Sequence, residues 1–423
     1  MAQGGISDSV KILIVSQYFW PENFRINDLA TELQQRGHEV TVLTGWPNYP
    51  EGKIYEDFSE NRAKYTQFGA VRVVRVPLTP RGKGALRLAL NYLSFVLSGS
   101  LLGPLKLIGK KYDVIFVYEP SPITVGIPAL VLKLFKKTPI VFWALDLWPE
   151  SLSAVGVVKS RKVLNAVGVM VRFIYRHCDL ILAQSKSFIG GIEKYCPQRE
   201  KIRYFPSWAE ELFHEETVIP ALEVPSKEGA FNVLFAGNIG DAQDFPTILD
   251  AAERLRERRE IRWIIVGDGR MADWVRAQVA LRGLQDQVLM PGRFALERMP
   301  SFFAHADTLL VTLKASEIFA MTIPGKVQTY LSSGLPLIGA LDGEGAEVIR
   351  ESGAGYACAA GDAAGLADAV ARMADAGVEQ RAAMGAAAQR CYAEQFEKKL
   401  LIDKLEGHFA DLVSTKNKVS SHV

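Results

Sequence analysis

The sequence predicts an α/β protein with two Rossmann-like domains, each built on a mainly parallel β-sheet. Two series of short apolar runs alternate with helix-length segments, and the runs end in polar or glycine-bearing turns. At 423 residues the chain is too long for one ordinary core and suits two domains of about 200 residues. The first series contains six candidate strands, KILIVSQYF, EVTVLTG, VRVVRVP, YDVIFVYEP, PIVFWALD and LILAQS.

The boundary between the two domains is predicted near residues 204–225, where three prolines interrupt a segment without clear periodicity. We therefore expect an N-terminal domain over residues 1–208 and a C-terminal domain over residues 209–390. Residues 391–423 are left for a C-terminal helix and a tail.

The second series, residues 232–339, is typical of a sheet that binds a nucleotide diphosphate. Its runs are NVLFAGNIG, WIIVGDGR, LMPGR, DTLLVTL and IPGKVQTYLSSGLPLIG. The backbone amides of Gly237, Asn238, Ile239 and Gly240 could hold a diphosphate at the start of the following helix, where the helix dipole favours negative charge. Gly267 and Asp268 would then border the base and ribose, although the same residues could form a simple tight turn.

Charge divides the chain into a basic half and an acidic half. Residues 1–208 hold 27 lysines and arginines against 16 acidic residues, a net charge of +11, so the remainder carries −9 of the total of +2. A basic half attracts phosphates, nucleic acid or an anionic membrane. Nucleic acid is disfavoured because no aromatic-basic stacking pattern or recognition helix accompanies the charge.

The arrangement of the basic residues favours a membrane surface. A strongly apolar stretch is bracketed by Arg81, Lys83 and Arg87 before it and by lysines at its end, up to Lys111. Residues 88–105 approach the length of a membrane span, but polar and helix-breaking residues interrupt them. We expect helices that lie on the membrane. The alternative is a buried crossover helix with solvated lysines.

Other global features point to a protein of the cytoplasm. The N-terminus lacks the charged and apolar regions of a secretory signal. The four cysteines show neither a disulfide framework nor metal-ligand spacing, and no cluster of histidine, cysteine and carboxylate residues predicts a metal site. We expect a cytoplasmic protein, peripheral on the inner face of the cell membrane, without metal or cofactor.

Four separated motifs resemble one enzyme family. They are SQYFWPENFRINDLATELQQRGHEVTVLTGWPNYPEGK, ALDLWPESL, FAGNIGDAQDF and IPGKVQTYLSSGLPLIG. In this order they resemble the family-4 retaining glycosyltransferases of GT-B fold, and within them the WbuB and colanic-acid type, which is L-fucosamine transferase-like. The resemblance covers residues 11–396. It implies two domains facing a cleft and a C-terminal helix that returns to the N-terminal domain.

The resemblance assigns acceptor binding to loops of the N-terminal domain. The loop after the first strand would contribute Glu22, Asn23, Arg25 and Asn27, since the guanidinium of Arg25 matches phosphate oxygens. Asn27 could instead cap the following helix. The rigid loop WPNYP would contribute Asn48 and Tyr49 to a stacking surface, although a structural turn is also consistent with its prolines.

Two carboxylates, Asp146 and Glu150, follow the strand PIVFWAL at the position where general acid or base work is done. The resemblance implies that Asp146 orients the acceptor hydroxyl or the transferred sugar. Glu150 could instead interact only with a helix N-terminus.

Donor binding departs from the family pattern at two places. Relatives carry an arginine and a lysine after the first glycine loop, where this chain has DAQD, so Arg293 and Lys326 become the candidates for binding the pyrophosphate. The usual pair of glutamates is also missing. Thr329 stands at the second position and could bind a ribose hydroxyl, while Glu317 could lie near the sugar.

The implied reaction is the transfer of a sugar from a UDP-sugar to a polyprenyl-diphosphate-linked saccharide, with retention, during surface polysaccharide biosynthesis such as that of O-antigen. N-acetyl-fucosamine or another N-acetylated hexose is the expected donor sugar, and undecaprenyl diphosphate the expected carrier. Two alternatives remain open, a nucleotide-sugar 2-epimerase of similar fold and a non-catalytic nucleotide-sugar-binding protein.

Overall fold

The computed structural model describes residues 9–82, 84–154, 158, 160–209 and 218–420. These residues form two compact units, Met1–Phe205 with Ile402–Val423, and Pro206–Leu401. Each unit is an α/β sandwich around a parallel sheet, so the predicted fold class is confirmed. The unit boundary follows Phe205, close to the position predicted after residue 208. Lys83 and the first eight residues lie outside the described part.

The first unit is built on an eight-stranded sheet of order β3-β4-β2-β1-β5-β6-β7-β8. All neighbours are parallel except β3, which pairs antiparallel with β4. Two strands, β3 and β8, were not predicted because each has only two or three residues. The strands are β1 (Lys11–Val15), β2 (Glu39–Gly45), β3 (Gln67–Phe68), β4 (Val71–Val76), β5 (Val114–Glu119), β6 (Ile140–Ala144), β7 (Leu180–Ala183) and β8 (Ile202–Tyr204).

The helices of the first unit connect these strands and cover the sheet. Strands β5 and β6 are buried along their whole length, as is typical of central parallel strands between helical layers. The helices are α1 (Arg25–Gln35), α2 (Glu56–Glu60), α3 (Ala85–Lys106), α4 (Gly126–Lys136), α5 (Glu150–Ala154), α6 (Arg161–His177) and α7 (Lys186–Glu193).

The second unit contains a six-stranded, fully parallel sheet of order β11-β10-β9-β12-β13-β14. Its last strand was not predicted because GYAC is short and only half-buried. The strands are β9 (Phe231–Ala236), β10 (Ile261–Val266), β11 (Val288–Gly292), β12 (Thr308–Thr312), β13 (Leu337–Ala340) and β14 (Gly355–Cys358).

The helices of the second unit pack on both faces of this sheet and enclose two apolar cores. Because the strand order places β9 between β10 and β12, the chain reverses direction across the sheet at β9, and loops at the carboxyl ends of its neighbours open there. The helices are α8 (Phe245–Arg254), α9 (Ala272–Leu281), α10 (Met299–Phe303), α11 (Glu317–Ala320), α12 (Gly325–Ser333), α13 (Glu344–Glu351), α14 (Ala363–Asp375) and α15 (Val378–Gln395).

The last helix, α16 (Lys398–Ser420), packs on the first unit from Ile402 onward. Glu406 accepts hydrogen bonds from Arg36 at 3.0 Å and contacts the His38 ring at 2.9 Å. Phe409 is fully buried and meets the ring of Phe116 edge-on. The C-terminal segment is therefore part of the first unit's core.

Helix α3 crosses from β4 to β5 with an apolar outer face. Among the described residues, it is the one helix long and apolar enough to cross a membrane, and 28% of that segment is buried. Leu97 and Leu101 are 62% and 67% exposed. A crossover helix buried in the protein, one of the two readings of this segment, does not fit that exposure.

Candidate functional site

The second unit holds a pocket of about 730 Å³ at the carboxyl ends of β9, β10 and β11. This is the edge of a parallel sheet where ligands bind in folds of this type. The pocket brings together five residues predicted to bind or act on the donor, and it is lined by Gly237, Asn238, Val266, Gly267, Asp268, Gly269, Arg293, Phe294, Ala295, Leu296 and Met299.

The floor of this pocket is a direct contact between two backbones. Gly237 and Gly267 have φ values of +135° and +146°. A Cβ on Gly267 would lie 1.9 Å from the carbonyl oxygen of Gly237, so no larger residue fits there. The glycine loops after β9 and β10 are therefore in direct backbone contact, with no room for a side chain between them.

The predicted diphosphate cradle of four amides is wrong at three of its positions. The Gly237 amide donates to Val266, the Ile239 amide to Asp268, and the Gly240 amide to the side chain of Gln243. Ile239 itself is fully buried in the core. Three of the four predicted amides therefore already donate hydrogen bonds within the protein. Of the four, only the amide of Asn238 has no described acceptor.

The predicted helix start is also displaced. A 3-10 turn, Asp241–Gln243, follows the glycine loop, and α8 begins only at Phe245. The helix whose first turn meets the loop is α12, since the Lys326 side chain lies against Gly237. A helix N-terminus does adjoin the pocket, but it belongs to a different part of the chain.

Lys326 is a buried cation without a counter-charge. Its Nζ atom has no hydrogen-bond partner among the described residues and lies 3.6 Å above the centre of the Phe235 ring. A Cβ on Gly237 would lie 2.7 Å from its Cε and 3.0 Å from its Nζ. Burial alone lowers the pKa of Lys326 to about 7. An unpaired amine in this position is suited to an incoming anion.

Arg293 follows β11, lines the pocket and is exposed. No hydrogen bond or ion pair engages its guanidinium within the described ranges. Arg293 and Lys326 thus adjoin the pocket from two different elements, and their role in binding a pyrophosphate stays a prediction.

Two other predicted donor residues do not line the pocket. Thr329 lies one turn after Lys326 on α12, and Glu317 is the exposed first residue of α11. The neighbouring Lys314 is held by Asp241 at 2.7 Å. The pocket therefore receives its charge from Arg293, Asp268 and the adjacent Lys326.

In the first unit, Glu22 is a buried structural centre and not an exposed acceptor ligand. Its Oε1 accepts hydrogen bonds from the amides of Asn48 and Tyr49 at 2.8 and 2.7 Å, and its Oε2 accepts from the amide of Phe19 at 3.2 Å. Burial raises the pKa of Glu22 to about 7. The carboxylate joins the two predicted acceptor loops to each other.

Asn27 and Asn48 are likewise used within the fold. Asn27 accepts from the amide of Trp20 and donates to the carbonyl of Glu22, so it closes the loop before α1 and does not cap the helix. Asn48 is fully buried and accepts from the amide of Arg81. Their side chains already have hydrogen-bond partners within the fold, and their assignment to the acceptor stays a prediction.

Asn23, Arg25 and Tyr49 lie at this edge and are not fully buried. Asn23 is exposed, and Tyr49 is half-buried with its ring 5.2 Å from Phe24. Arg25 begins α1 and acts on Tyr118 at the end of β5, opposing the rise that burial causes in the pKa of that phenol. An aromatic and cationic surface therefore remains where the acceptor was predicted.

Asp146 and Glu150 have different partners, and Glu150 is the first residue of α5. Asp146 accepts from the amide of Leu147 at 2.9 Å and from the indole of Trp148 at 3.0 Å. Glu150 accepts from Tyr195 and pairs with Lys194 on the neighbouring segment. Glu150 therefore contacts this segment of the fold, and no contact joins it to Asp146.

Glu119 is the partner of Asp146 that sequence reasoning missed. It ends β5, is fully buried, and accepts from the Asp146 amide at 3.3 Å. Burial, with a contribution from the charge of Asp146, raises the pKa of Glu119 well above its ordinary value. The available signal was an acidic residue at the end of an otherwise apolar strand, VIFVYE.

In the described part of the chain, no group of three or more histidine, cysteine and acidic residues is placed to hold a metal ion.

The two Rossmann-like units and their sites at the carboxyl sheet edges define a glycosyltransferase of GT-B fold. Residues 23–208 match the Glycosyl transferase 4-like domain, and residues 230–376 match Glycosyl transferases group 1. Since the two matches cover most of both units, the chain is a group 1 glycosyltransferase.

Three relatives illustrate the similarity. A protein of Escherichia coli K12 named as the colanic acid biosynthesis glycosyl transferase WcaI is 26% identical over 77% of this chain and 82% of its own length. N-acetyl-alpha-D-glucosaminyl L-malate synthase of Bacillus anthracis is 20% identical over 91% of this chain and 92% of its own. The structure of Anabaena Alr3699/HepE in complex with UDP has a TM-score of 0.64 and 15% identity over 95% of this chain and all of that chain, which shows the shared fold.

Replacement of Gly267 by alanine should disrupt the pocket floor, because the new Cβ would overlap the Gly237 carbonyl. We expect Gly267→Ala to lower the free energy of unfolding by about 3 kcal/mol. Gly377→Ala, where no atom lies within 4 Å of the added Cβ, should cost less than about 1 kcal/mol. Urea unfolding checks both values, and equal losses would contradict the backbone contact.

The free energy of unfolding should depend on pH because Lys326 is buried. Because its pKa is lower in the folded state, the unfolded state binds more protons between about pH 7 and pH 10. The unfolding free energy of the wild type, measured relative to Lys326→Met, should therefore rise with pH across that window and stay flat below it. Urea titrations of both proteins from pH 6 to pH 10 test this, and a constant difference would rule it out.

Proposed function

We propose that the protein transfers a sugar from a UDP-sugar to a polyprenyl-diphosphate-linked saccharide, with retention, in the synthesis of a bacterial surface polysaccharide. The observation that carries the proposal is the unpaired Lys326 amine beside the glycine loops of the pocket. The named role of the WcaI relative in colanic acid biosynthesis and the UDP in the Anabaena structure support the substrate classes. An N-acetylated hexose such as N-acetyl-fucosamine remains the proposed donor sugar.

The pocket suits the departure of a diphosphate. As the bond to the sugar breaks, negative charge grows on the β-phosphate, and cations placed there lower the barrier. Arg293 can donate two parallel hydrogen bonds to phosphate oxygens, whereas Lys326 supplies a compact charge from the first turn of α12. These two cations provide the charge that a metal ion supplies in other enzymes, so we propose a metal-independent reaction.

The base for the acceptor proton is assigned to the departing diphosphate itself, which lies on the same face as the incoming hydroxyl in a retaining transfer. Asp146 is proposed to position the acceptor, since its carboxylate is fixed by Leu147 and Trp148. Glu119 would help to fix the position of Asp146 by accepting a hydrogen bond from its amide.

A donor-binding and transfer assay tests this function. Lys326→Met should weaken UDP binding 10- to 100-fold, because a charge-assisted hydrogen bond contributes about 1.5–3 kcal/mol. Lys314→Met is the matched control, since that lysine is held by Asp241. Calorimetry with UDP measures the binding, and a panel of radiolabelled UDP-sugars with a lipid-linked GlcNAc measures the transfer.

The outcomes separate the alternatives. A non-catalytic binding protein would bind UDP and give no extended lipid product. A 2-epimerase would change the free UDP-sugar without any acceptor. Undiminished UDP binding by Lys326→Met would contradict the assigned pocket.

We also propose that the first unit lies on the inner face of the cytoplasmic membrane. Its apolar surface, defined as Leu97, Leu101, Leu105, Ile108, Leu134 and Phe135, is exposed on and around α3 and α4. Lys106, Lys110, Lys111 and Lys137 surround this surface and can meet anionic headgroups.

The contacts of α3 favour lying on the membrane over crossing it. Asn91 on this helix is fully buried and donates to the Thr79 carbonyl, and it accepts from Gln17 at 2.7 Å. Close to its end, a Cβ on Gly103 would lie 3.0 Å from Leu43 of β2. These contacts hold both halves of the helix against the first unit.

Vesicle sedimentation tests the membrane proposal. Leu101→Gln/Leu105→Gln/Phe135→Gln should reduce binding to phosphatidylglycerol vesicles at least tenfold, because each side chain contributes roughly 1.5–3 kcal/mol when fully buried. The control is Ile219→Gln/Leu222→Gln/Leu281→Gln, three exposed apolar residues of the second unit. Equal binding by the two triple variants would contradict the proposed surface.

A further inference from the structure

A second cavity of the first unit has no role in the reaction proposed above. This cavity, the β4 groove, has a volume of about 470 Å³ and runs along β4. Its lining includes Trp46, Phe58, Arg62, Arg72, Leu102 and Lys106.

Three cations of the β4 groove have no counter-charge. Arg62, Arg72 and Lys106 are exposed, and within the described ranges no ion pair or hydrogen bond engages their charged groups. No acidic residue lines the groove. The nearby Asp57 is occupied by Lys64 at 2.6 Å and by the Tyr65 hydroxyl.

Arg75 also lines the groove but is used by the fold. It is buried, and its guanidinium donates to the backbone carbonyls of Gly45, Tyr65 and Trp20. Its positive charge therefore remains in the wall of the groove without a carboxylate in hydrogen-bond contact. The groove is a cationic cavity with a fixed, buried charge behind three exposed ones.

Aromatic rings hold one of the exposed cations in place. The Cζ atom of Arg62 lies over the Trp46 ring, 4.7 Å from its centre, and 5.8 Å from the centre of the Phe58 ring. These cation–π contacts hold the guanidinium, and no hydrogen bond within the described ranges engages its N–H groups. Such an arrangement is suited to bidentate contact with a phosphate.

The groove connects two surfaces already described. Trp46 directly precedes residues 47–50, the predicted acceptor loop, while Leu102 and Lys106 belong to α3, which carries the apolar surface. A ligand with a charged head and a hydrocarbon chain could therefore place its head among the cations and its chain along α3. A free phosphate would leave the apolar side of this arrangement unused.

We propose that the β4 groove binds the diphosphate head of a prenyl-chain amphiphile, the lipid part of the acceptor, with its hydrocarbon chain lying on the apolar surface. The three unpaired cations match the two to three negative charges of a diphosphate better than the single charge of a phospholipid diester. This inference rests on the proposed function, because it assigns the acceptor's lipid to a site of its own.

Calorimetry with geranyl diphosphate tests the groove, with saturating UDP present so that the second unit's pocket is filled. Neutralising one cation near a phosphate should weaken binding about fivefold, since each contributes about 1 kcal/mol. We expect Arg62→Gln/Arg72→Gln/Lys106→Gln to bind about a hundredfold more weakly than the wild type. Arg254→Gln/Arg259→Gln/Arg390→Gln removes the same charge from exposed positions of the second unit and should bind as the wild type does.

Two further probes distinguish the source of the phosphate. Inorganic pyrophosphate should bind at least tenfold more weakly than geranyl diphosphate, because it lacks the chain. Monomeric short-chain phosphatidylglycerol, which has a single charge and forms no membrane surface, should compete poorly. Equal affinity for pyrophosphate, or equal competition by phosphatidylglycerol, would overturn the proposal.

The remaining outcomes distinguish a failure of the groove proposal from a failure of the proposed function. Wild-type affinity in the groove triple variant would overturn the inference even if UDP binding and transfer are normal. A failure of UDP binding would instead remove the proposed function, and the difference in geranyl diphosphate affinity between the groove triple variant and the second-unit triple variant would still test the groove. Lys106→Gln alone, at an exposed helix end, should lose about fivefold and guards against misfolding of the triple variant.

Discussion

The close contact between the Gly237 and Gly267 backbones is the constraint on which the second unit's site depends. It brings the loops after β9 and β10 together, and it lets the Lys326 side chain pass beside a residue without a Cβ. The mutual hydrogen bonds of the two loops use their amides, so the loops shape the pocket but provide little of its positive charge. That charge comes from Arg293, which follows β11, and from Lys326 on α12.

In the first unit, polar side chains connect the loops, where backbone amides do so in the second unit. Glu22 ties the loop after β1 to the loop after β2 by two hydrogen bonds and accepts a third within its own loop, and Asn48 extends the connection to Arg81. The polar residues that shape these loops are therefore buried, while Tyr49 and Arg25 stay near the surface. Rigid loops of this kind present a fixed surface to an acceptor.

The sequence predicted the architecture well because long apolar runs at regular spacing dictate parallel strands. It missed β3, β8 and β14, which are too short to show a period. For the site, glycine loops and the cations Arg293 and Lys326 were predictable from local patterns. Whether a polar side chain points outward was not predictable. Two partners of Glu22 come from a different loop, the one after β2, and Glu119 was identified only through its contact with Asp146.

Because the pKa of Lys326 is lowered, the charge of the pocket depends on the pH of the solution. With its pKa lowered to about 7, the amine is only partly charged near neutrality, whereas a bound diphosphate would favour the ammonium form. Donor binding should therefore draw a proton from solvent, and donor affinity should weaken as the medium becomes more alkaline. The burial of this amine would thus link the binding of a diphosphate to the uptake of a proton.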